Sequence, residues 1–162
     1  MKEKVYNREK TIEYASKWAM SRNPKYYNYD KIGGDCTNFI SQCIYAGCNT
    51  MNYKSWYYKN ANDKSPSWTG VQFLYYFLVK NQSVGPSAIE TNQTDLEIGD
   101  VIQLSFDGNT FGHSLIVVKI GNINYLNEIL IATHTIDAYL RPVSTYDFKK
   151  IRFLHINNII KY

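Results

Sequence analysis

Cys36, His113 and His134 have side chains suited to acyl transfer at an amide, and their surroundings in the chain suggest how they could meet. Cys36 lies in Gly33-Gly34-Asp35-Cys36-Thr37-Asn38-Phe39-Ile40-Ser41-Gln42. Phe39, Ile40, Cys43 and Ile44 form an apolar stripe of helical period, so the segment predicts a helix opening at Cys36. The first turn of a helix has unpaired N–H groups and the positive end of the dipole, both of which favour an anion. There a thiol is expected to fall from about 8.5 toward neutrality, especially beside an imidazole. The two glycines allow a tight turn, and the Cys36 backbone N–H can face a developing oxyanion.

A thiolate nucleophile needs a base. Gly112-His113-Ser114-Leu115-Ile116-Val117 is an apolar strand opened by a histidine. Strand alternation puts His113 on one face with Leu115 and Val117. With that face packed on the Cys36 helix, the imidazole stands at the helix N-terminus. The base in turn wants an orienting group. His134 ends the next strand, and two adjacent antiparallel strands would make the two imidazoles neighbours. Asp137 competes for that role, provided a bend turns it to the same side.

The elements needed to position these groups run helices first, strands afterwards. Asn7 is an N-cap for a helix to about residue 21, stopped by Pro24. The second helix runs from Cys36 to about residue 46, with Gly47 as its stop. A long loop over residues 49–67 precedes a third helix over residues 70–80, and another loop covers residues 81–97. Residues 100–106, 113–120, 128–134 and 150–156 are short, rich in β-branched residues and separated by Gly/Asn turns. The order implies an α+β domain, N-terminal helices packed on a mostly antiparallel sheet, and the length of 162 residues fits one domain over 1–162.

The remaining features narrow the class. A formal charge of +4 is mild, and no nucleic-acid recognition motif accompanies it. No apolar run approaches the roughly 18 residues of a membrane span. No secretory h-region follows the charges of Met1-Lys2-Glu3-Lys4, which fits either a cytoplasmic protein or an excised part of an exported one. The three cysteines cannot form a complete disulfide set, and Cys43 and Cys48 read as core thiols. No second pair of ligands at metal spacing accompanies them, so neither metal nor cofactor is expected. Among the 15 tyrosines and 3 tryptophans, Trp56, Tyr57, Tyr58 and Trp68 stand in a loop where they line a substrate cleft or cap a core. His155 reads as structural, Asn38 and Gln42 as braces, and Lys149, Lys150 and Arg152 as a solvated face.

Asp35-Cys36-Thr37-Asn38-Phe39 resembles the Asp-Cys-Ser-Gly-Phe signature of NlpC-type cell-wall peptidases. Leu96-Glu97-Ile98-Gly99-Asp100-Val101-Ile102 resembles the strand that precedes their histidine, and Gly112–Val117 resembles their Gly-His-x-x-Ile-Val strand. A closer resemblance is to the bacterial putative amidase domain family, related to NlpC-type and CHAP peptidases in the papain-like superfamily. Its marks are Gly-Asp-Cys-Thr-Asn-Phe-x-Ser-Gln, a Trp-Tyr middle, Gly-His-Ser-x-Ile-Val and His-Thr-x-Asp, the last present as His134-Thr135-Ile136-Asp137. The resemblance covers about residues 5–156.

It implies a papain-like fold and a cysteine amidase or peptidase acting on a peptide or muropeptide. Cys36 carries over as nucleophile, His113 as base and His134 as orienting group, with Asp137 assisting. Asp35 would hold a substrate amine; Trp56 and Trp68, from their place in the aromatic loop, are the further substrate-binding candidates. Asp30 stands at the spacing of papain's oxyanion-donating glutamine, and a carboxylate repels an oxyanion, which leaves Tyr29 or Tyr27 as the hydroxyl donor. An intracellular amidase and a catalytically silent binding module of the same fold are the alternatives.

Overall fold

The computed structural model describes residues 2–162. Its helices are α1 (Arg8–Trp18), α2 (Cys36–Cys48), α3 (Pro66–Thr69) and α4 (Val71–Lys80). Its strands are β1 (Lys2–Lys4), β2 (Tyr58–Asn60), β3 (Asp63–Lys64), β4 (Ala88–Thr91), β5 (Val101–Ser105), β6 (His113–Ile120), β7 (Ile129–Thr133), β8 (Ala138–Pro142), β9 (Lys150–Ile156) and β10 (Ile159–Lys161). Six of the strands form one sheet in the order β4-β9-β5-β6-β7-β8, antiparallel at each pairing. The chain is therefore α+β, as the order of helical and strand patterns predicts. Two hairpin-like additions, β2 with β3 and β1 with β10, were hidden in segments that read as loop or terminus.

Alternation along the strands divides the apolar residues between two layers. Val101, Ile116, Ala132 and Leu154 join Phe39, Ile40 and Ile44 of α2 in the core between helices and sheet. Ile102, Leu104, Leu115, Val117 and Ile131 form a second cluster on the other face, closed by Val143 and by Tyr146 and Phe148 at its margin.

Helix α1 begins where Asn7 accepts a hydrogen bond from the Lys10 amide at 3.0 Å. Helix α2 is buried along nearly its whole length. It passes through Gly47 and stops at Asn49, which takes the left-handed conformation at φ 46°. Gly47 is not the expected stop because its role is steric. A Cβ there would lie 2.1 Å from Thr11 Oγ1 and 2.8 Å from the Asn7 carbonyl oxygen, so it marks the closest approach of α1 to α2.

Trp56 and Trp68 have no exposed surface and lie in the helix-side core, with ring centroids 4.8 Å apart. The indole N–H of Trp56 donates to Ser41 Oγ, and that of Trp68 to Asn38 Oδ1. They cap the core and cannot line a cleft, which corrects the substrate-binding role expected of both. Arg152 is likewise not on a solvated face: its guanidinium lies between the rings of Tyr75 and Phe111, 3.5 and 3.9 Å from their centroids.

Gly47→Ala gains about 1 kcal/mol of helix propensity but forces α1 off α2. The expected net effect is a loss of about 1–3 kcal/mol in urea unfolding.

Candidate active site

Cys36 is the first residue of α2, reached through Gly33 and Gly34 at φ 83° and 96°, conformations that favour glycine. Only 7% of its surface is exposed. The sulfur lies 3.7 Å from Thr37 Oγ1, and Thr37 Oγ1 lies 2.9 Å from Ser114 Oγ on β6. That bond ties the start of the helix to the start of the strand. His113, the residue before Ser114, is thereby held one position from this junction.

His113 does not arrive there by facing the helix. Its neighbours in alternation, Leu115 and Val117, belong to the cluster on the far side of the sheet, while Ser114 and Ile116 face α2. The imidazole sits at the end of β6, where its ring centroid is 6.1 Å from Phe106 and 5.7 Å from Tyr146. No hydrogen bond joins a ring nitrogen of His113 to Cys36 Sγ among the described residues.

The electrostatics also depart from expectation. Burial pushes the Cys36 thiol up, outweighing the Ser114 backbone and the Thr37 hydroxyl and backbone, which pull it down; the nearby Asp35 carboxylate adds to the rise. Burial, and then the Arg141 cation, push His113 from 6.5 down to about 4. The resting pair is a neutral thiol and a neutral imidazole.

His134 does not orient His113. Its Nδ1 lies 2.5 Å from Asp35 Oδ2, and its Nε2 is 2.8 Å from the Trp18 carbonyl oxygen. A carbonyl only accepts, so Nε2 carries a hydrogen, and a further proton is held between Nδ1 and Asp35. The ring also stacks on Phe39 at a centroid distance of 4.0 Å. With both nitrogens occupied, no edge is left for a second imidazole.

Asp137 is committed as well. It takes two hydrogen bonds from Arg22, at 2.9 and 2.8 Å. Arg22 also holds Asp30 at 2.8 Å. Burial works against ionised Asp30, but hydrogen bonds from Arg22 and Thr135 outweigh it and hold its pKa below the ordinary value. It remains a carboxylate, unfit to donate to an oxyanion.

The expected substrate-binding role of Asp35 is overturned by burial, since the residue has no exposed surface. Its Oδ1 accepts from the Tyr29 amide at 2.8 Å and from Asn38 Nδ2 at 2.9 Å, and Oδ2 faces His134. Asn38 also donates to the Tyr27 carbonyl, so it does brace the loop, while Gln42 accepts from the Tyr14 hydroxyl. His155 has the structural role expected of it, with Nδ1 2.9 Å from the buried Asp100.

One residue at the site went unnoticed in the sequence. Tyr146 follows the short 3₁₀ turn Val143–Thr145, with no motif around it. Its ring packs near His113 on one side and under the Arg141 guanidinium on the other, 3.7 Å from the centroid. Burial raises its pKa, and a negative charge on Cys36 would raise it further. Its hydroxyl is buried with no hydrogen-bond partner, as is that of Tyr29.

The model of the family described as "Putative amidase domain" matches residues 5–157. The chain belongs to this family. Two proteins of Bacillus subtilis (strain 168) are similar to it. "Uncharacterized protein YhbB" is 36% identical over 150 residues, covering 88% of this chain and 45% of that protein. "Uncharacterized protein YjcM" is 26% identical over 129 residues, covering 74% of this chain and 29% of that protein. The amidase domain described here thus spans less than half the length of either. No solved structure matches it significantly. Among the described residues, no helix is long and apolar enough to cross a membrane.

Two outcomes are expected. Asp35→Ala leaves the His134 proton without its partner and should cost about 3–5 kcal/mol in chemical denaturation. His113 is neutral in both states above pH 6.5. As the pH falls toward about 4, the unfolded chain takes up a proton that the folded chain resists, so stability declines across that window. His113→Gln should flatten the decline in melting temperature between pH 6.5 and 4.

Proposed function

We propose that this amidase domain is a cysteine-dependent amide or peptide hydrolase of papain-like type, one unit over residues 1–162, with Cys36 as nucleophile and His113 as its proton carrier. The observation that carries this reading is the Thr37–Ser114 bond, which draws together the first turn of α2 and the start of β6, with Cys36 and His113 next in sequence to the bonded residues. The antiparallel sheet with a buried cysteine-led helix on it is consistent with a papain-like arrangement.

The neutral resting pair suits a general-base path. As the sulfur attacks the amide carbon, an S–C bond forms and the thiol proton passes to neutral His113. The imidazolium then gives that proton to the leaving nitrogen as the C–N bond breaks, leaving a thioester. Water attacks the thioester, His113 takes its proton, and the sulfur departs and recovers it. The negative oxygen of each tetrahedral stage needs donors. The Cys36 backbone N–H at the helix start is one. The Tyr146 hydroxyl is the second we assign, since its ring lies 5.7 Å from that of His113, whereas Tyr29 belongs to the loop whose amide is bonded to Asp35.

His113 thus works without a carboxylate or a second imidazole to orient it. The substrate class we favour is a bacterial cell-wall peptide, by similarity of the Asp35–Phe39 and Gly112–Val117 segments to wall peptidases. Asp35 is sealed inside, and the charge acting on His113 is the Arg141 cation. That favours a carboxylate-bearing stretch of peptide over a free amino terminus near the scissile bond. A silent module of the same fold draws on one observation, the exposure of Cys36 and His113 at only 7% and 6%.

The test is hydrolysis of muropeptides and simple peptide anilides, followed by mass spectrometry for an acylated Cys36. Cys36→Ala should abolish turnover, and His113→Ala should lower kcat by about a thousandfold. Tyr146→Phe should lower kcat by about a hundredfold with little change in melting temperature, since Arg141 is the one side chain near enough to bond the hydroxyl and no bond of good geometry is made. Unacylated Cys36 with every substrate would favour the silent module.

A further inference from the structure

Three residues stand opposite one another on adjacent strands: Arg152 on β9, Gln103 on β5 and Ser114 on β6. Each is on the helix-facing side of the sheet, and a single file of hydrogen bonds runs through them. Arg152 donates to Gln103 Oε1 from Nε at 2.9 Å and from a terminal nitrogen at 2.6 Å. Gln103 Nε2 lies 3.0 Å from the Val71 carbonyl oxygen and 3.2 Å from Ser114 Oγ. Ser114 Oγ lies 2.9 Å from Thr37 Oγ1, which in turn lies 3.7 Å from Cys36 Sγ.

The direction of the bonds from Arg152 to Ser114 follows from what each group can do. A guanidinium only donates and a carbonyl only accepts, so the Gln103 amide is held one way, with its oxygen to Arg152 and its NH₂ to Val71 and Ser114. Ser114 Oγ therefore accepts from Gln103; its contact with Thr37 Oγ1 can run either way, and in the direction that serves Cys36 the Ser114 hydrogen goes to Thr37 Oγ1. Thr37, having accepted that hydrogen, has Cys36 Sγ as its remaining partner. Arg152 is kept from turning away by Gln72, at 2.5 Å, and by the rings on either side. Thr37, Ser114 and Gln103 are almost wholly buried, so water does not compete for these hydrogens.

We propose that Arg152, Gln103, Ser114 and Thr37 form a one-way hydrogen-bond relay whose last hydroxyl donates to Cys36 Sγ, making these four the positioning residues that favour the thiolate of the nucleophile. The inference rests on Cys36 being the nucleophile. The relay opposes the burial that holds the thiol neutral. It lies between the helices and the sheet, on the face opposite the one His113 shares with Leu115 and Val117. A satisfied buried network with no effect on Cys36 would show the same distances, so the deciding readout is the acid–base behaviour of the sulfur and not stability.

The experiment is the pH dependence of iodoacetamide alkylation at each cysteine, resolved by peptide mapping, with melting temperature measured alongside. Thr37→Val should move the Cys36 midpoint up by about one pH unit, the scale of one lost hydrogen bond to a charged group. Thr37→Ser, which keeps the hydroxyl, should restore it. Gln103→Leu touches neither Cys36 nor Thr37, yet should move it up by about half as much, because Ser114 and Thr37 are then free to turn. Ile116→Val, in the same core layer, should lower the melting temperature without moving the midpoint. The other titratable groups around the sulfur, Asp35 before α2, His113 on β6 and Tyr146 after β8, are the same in all these variants.

An unmoved midpoint in Thr37→Val, or a Gln103→Leu shift no larger than that of Ile116→Val, would overturn the relay while leaving the nucleophile intact. If wild-type Cys36 reacts no faster than the buried Cys43 and Cys48 at every pH, the nucleophile assignment fails, and the relay with it.

Discussion

A carboxylate taken out of water costs several kcal/mol unless its oxygens are filled, and the filling of Asp35 organises the surroundings of Cys36. One oxygen draws in the Tyr29 amide from the preceding loop and the Asn38 side chain from α2. The other holds His134 after β7, which reaches back to the Trp18 carbonyl at the end of α1. Two helices, a loop and a strand end are thus fixed to the residue immediately before Cys36. Removing any one partner strands a buried charge, so the constraint is cooperative. Around its edge Arg22 joins Asp30 and Asp137, clasping the loop before α2 to the turn after β7.

This division of labour accounts for where reading the sequence succeeded and where it failed. The apolar stripe Phe39-Ile40-Cys43-Ile44 and the β-branched runs of the central strands have strong periodicity, so α2, β5, β6, β7 and β9 are all legible. β4 and β8 are edge strands, short and with several exposed residues, and the pairing that makes them strands comes from β9 and β7. Burial is what a motif does not carry. Asp35 stands beside the cysteine whether it faces substrate or core, and only the packed structure separates the two. Trp56 and Trp68 pose the same problem, because a loop of aromatics looks alike inside or out until its indole nitrogens are seen to be spoken for by Ser41 and Asn38. His134 was visible as a histidine, but its two partners are about a hundred residues away along the chain. Tyr146 is the clearest loss: it lies in an irregular stretch with no period and no turn signature, and only the third dimension brings it to His113.

The balance at Cys36 is likewise a property of the fold. A helix start favours a thiolate in isolation, yet here desolvation and a neighbouring carboxylate act against it. A cysteine at 7% exposure between a buried acid and a buried hydroxyl chain is largely withdrawn from water. Its neutral form fits the proposed general-base path, in which the thiol proton leaves only as the sulfur attacks.

The pairing of β1 with β10 has a consequence of another kind. Lys2 lies opposite Lys161, and Lys4 opposite Ile159, so the two ends of the described chain run side by side in opposite directions. Joining them with a short glycine-rich bridge and opening the backbone at an exposed turn, such as residues 121–124 between β6 and the 3₁₀ turn before β7, would give a circular permutant with every strand neighbour preserved. By the same geometry, a polypeptide that carried this unit as an insert would enter and leave it at one place, and its flanking segments would be spliced together across a gap only one strand wide.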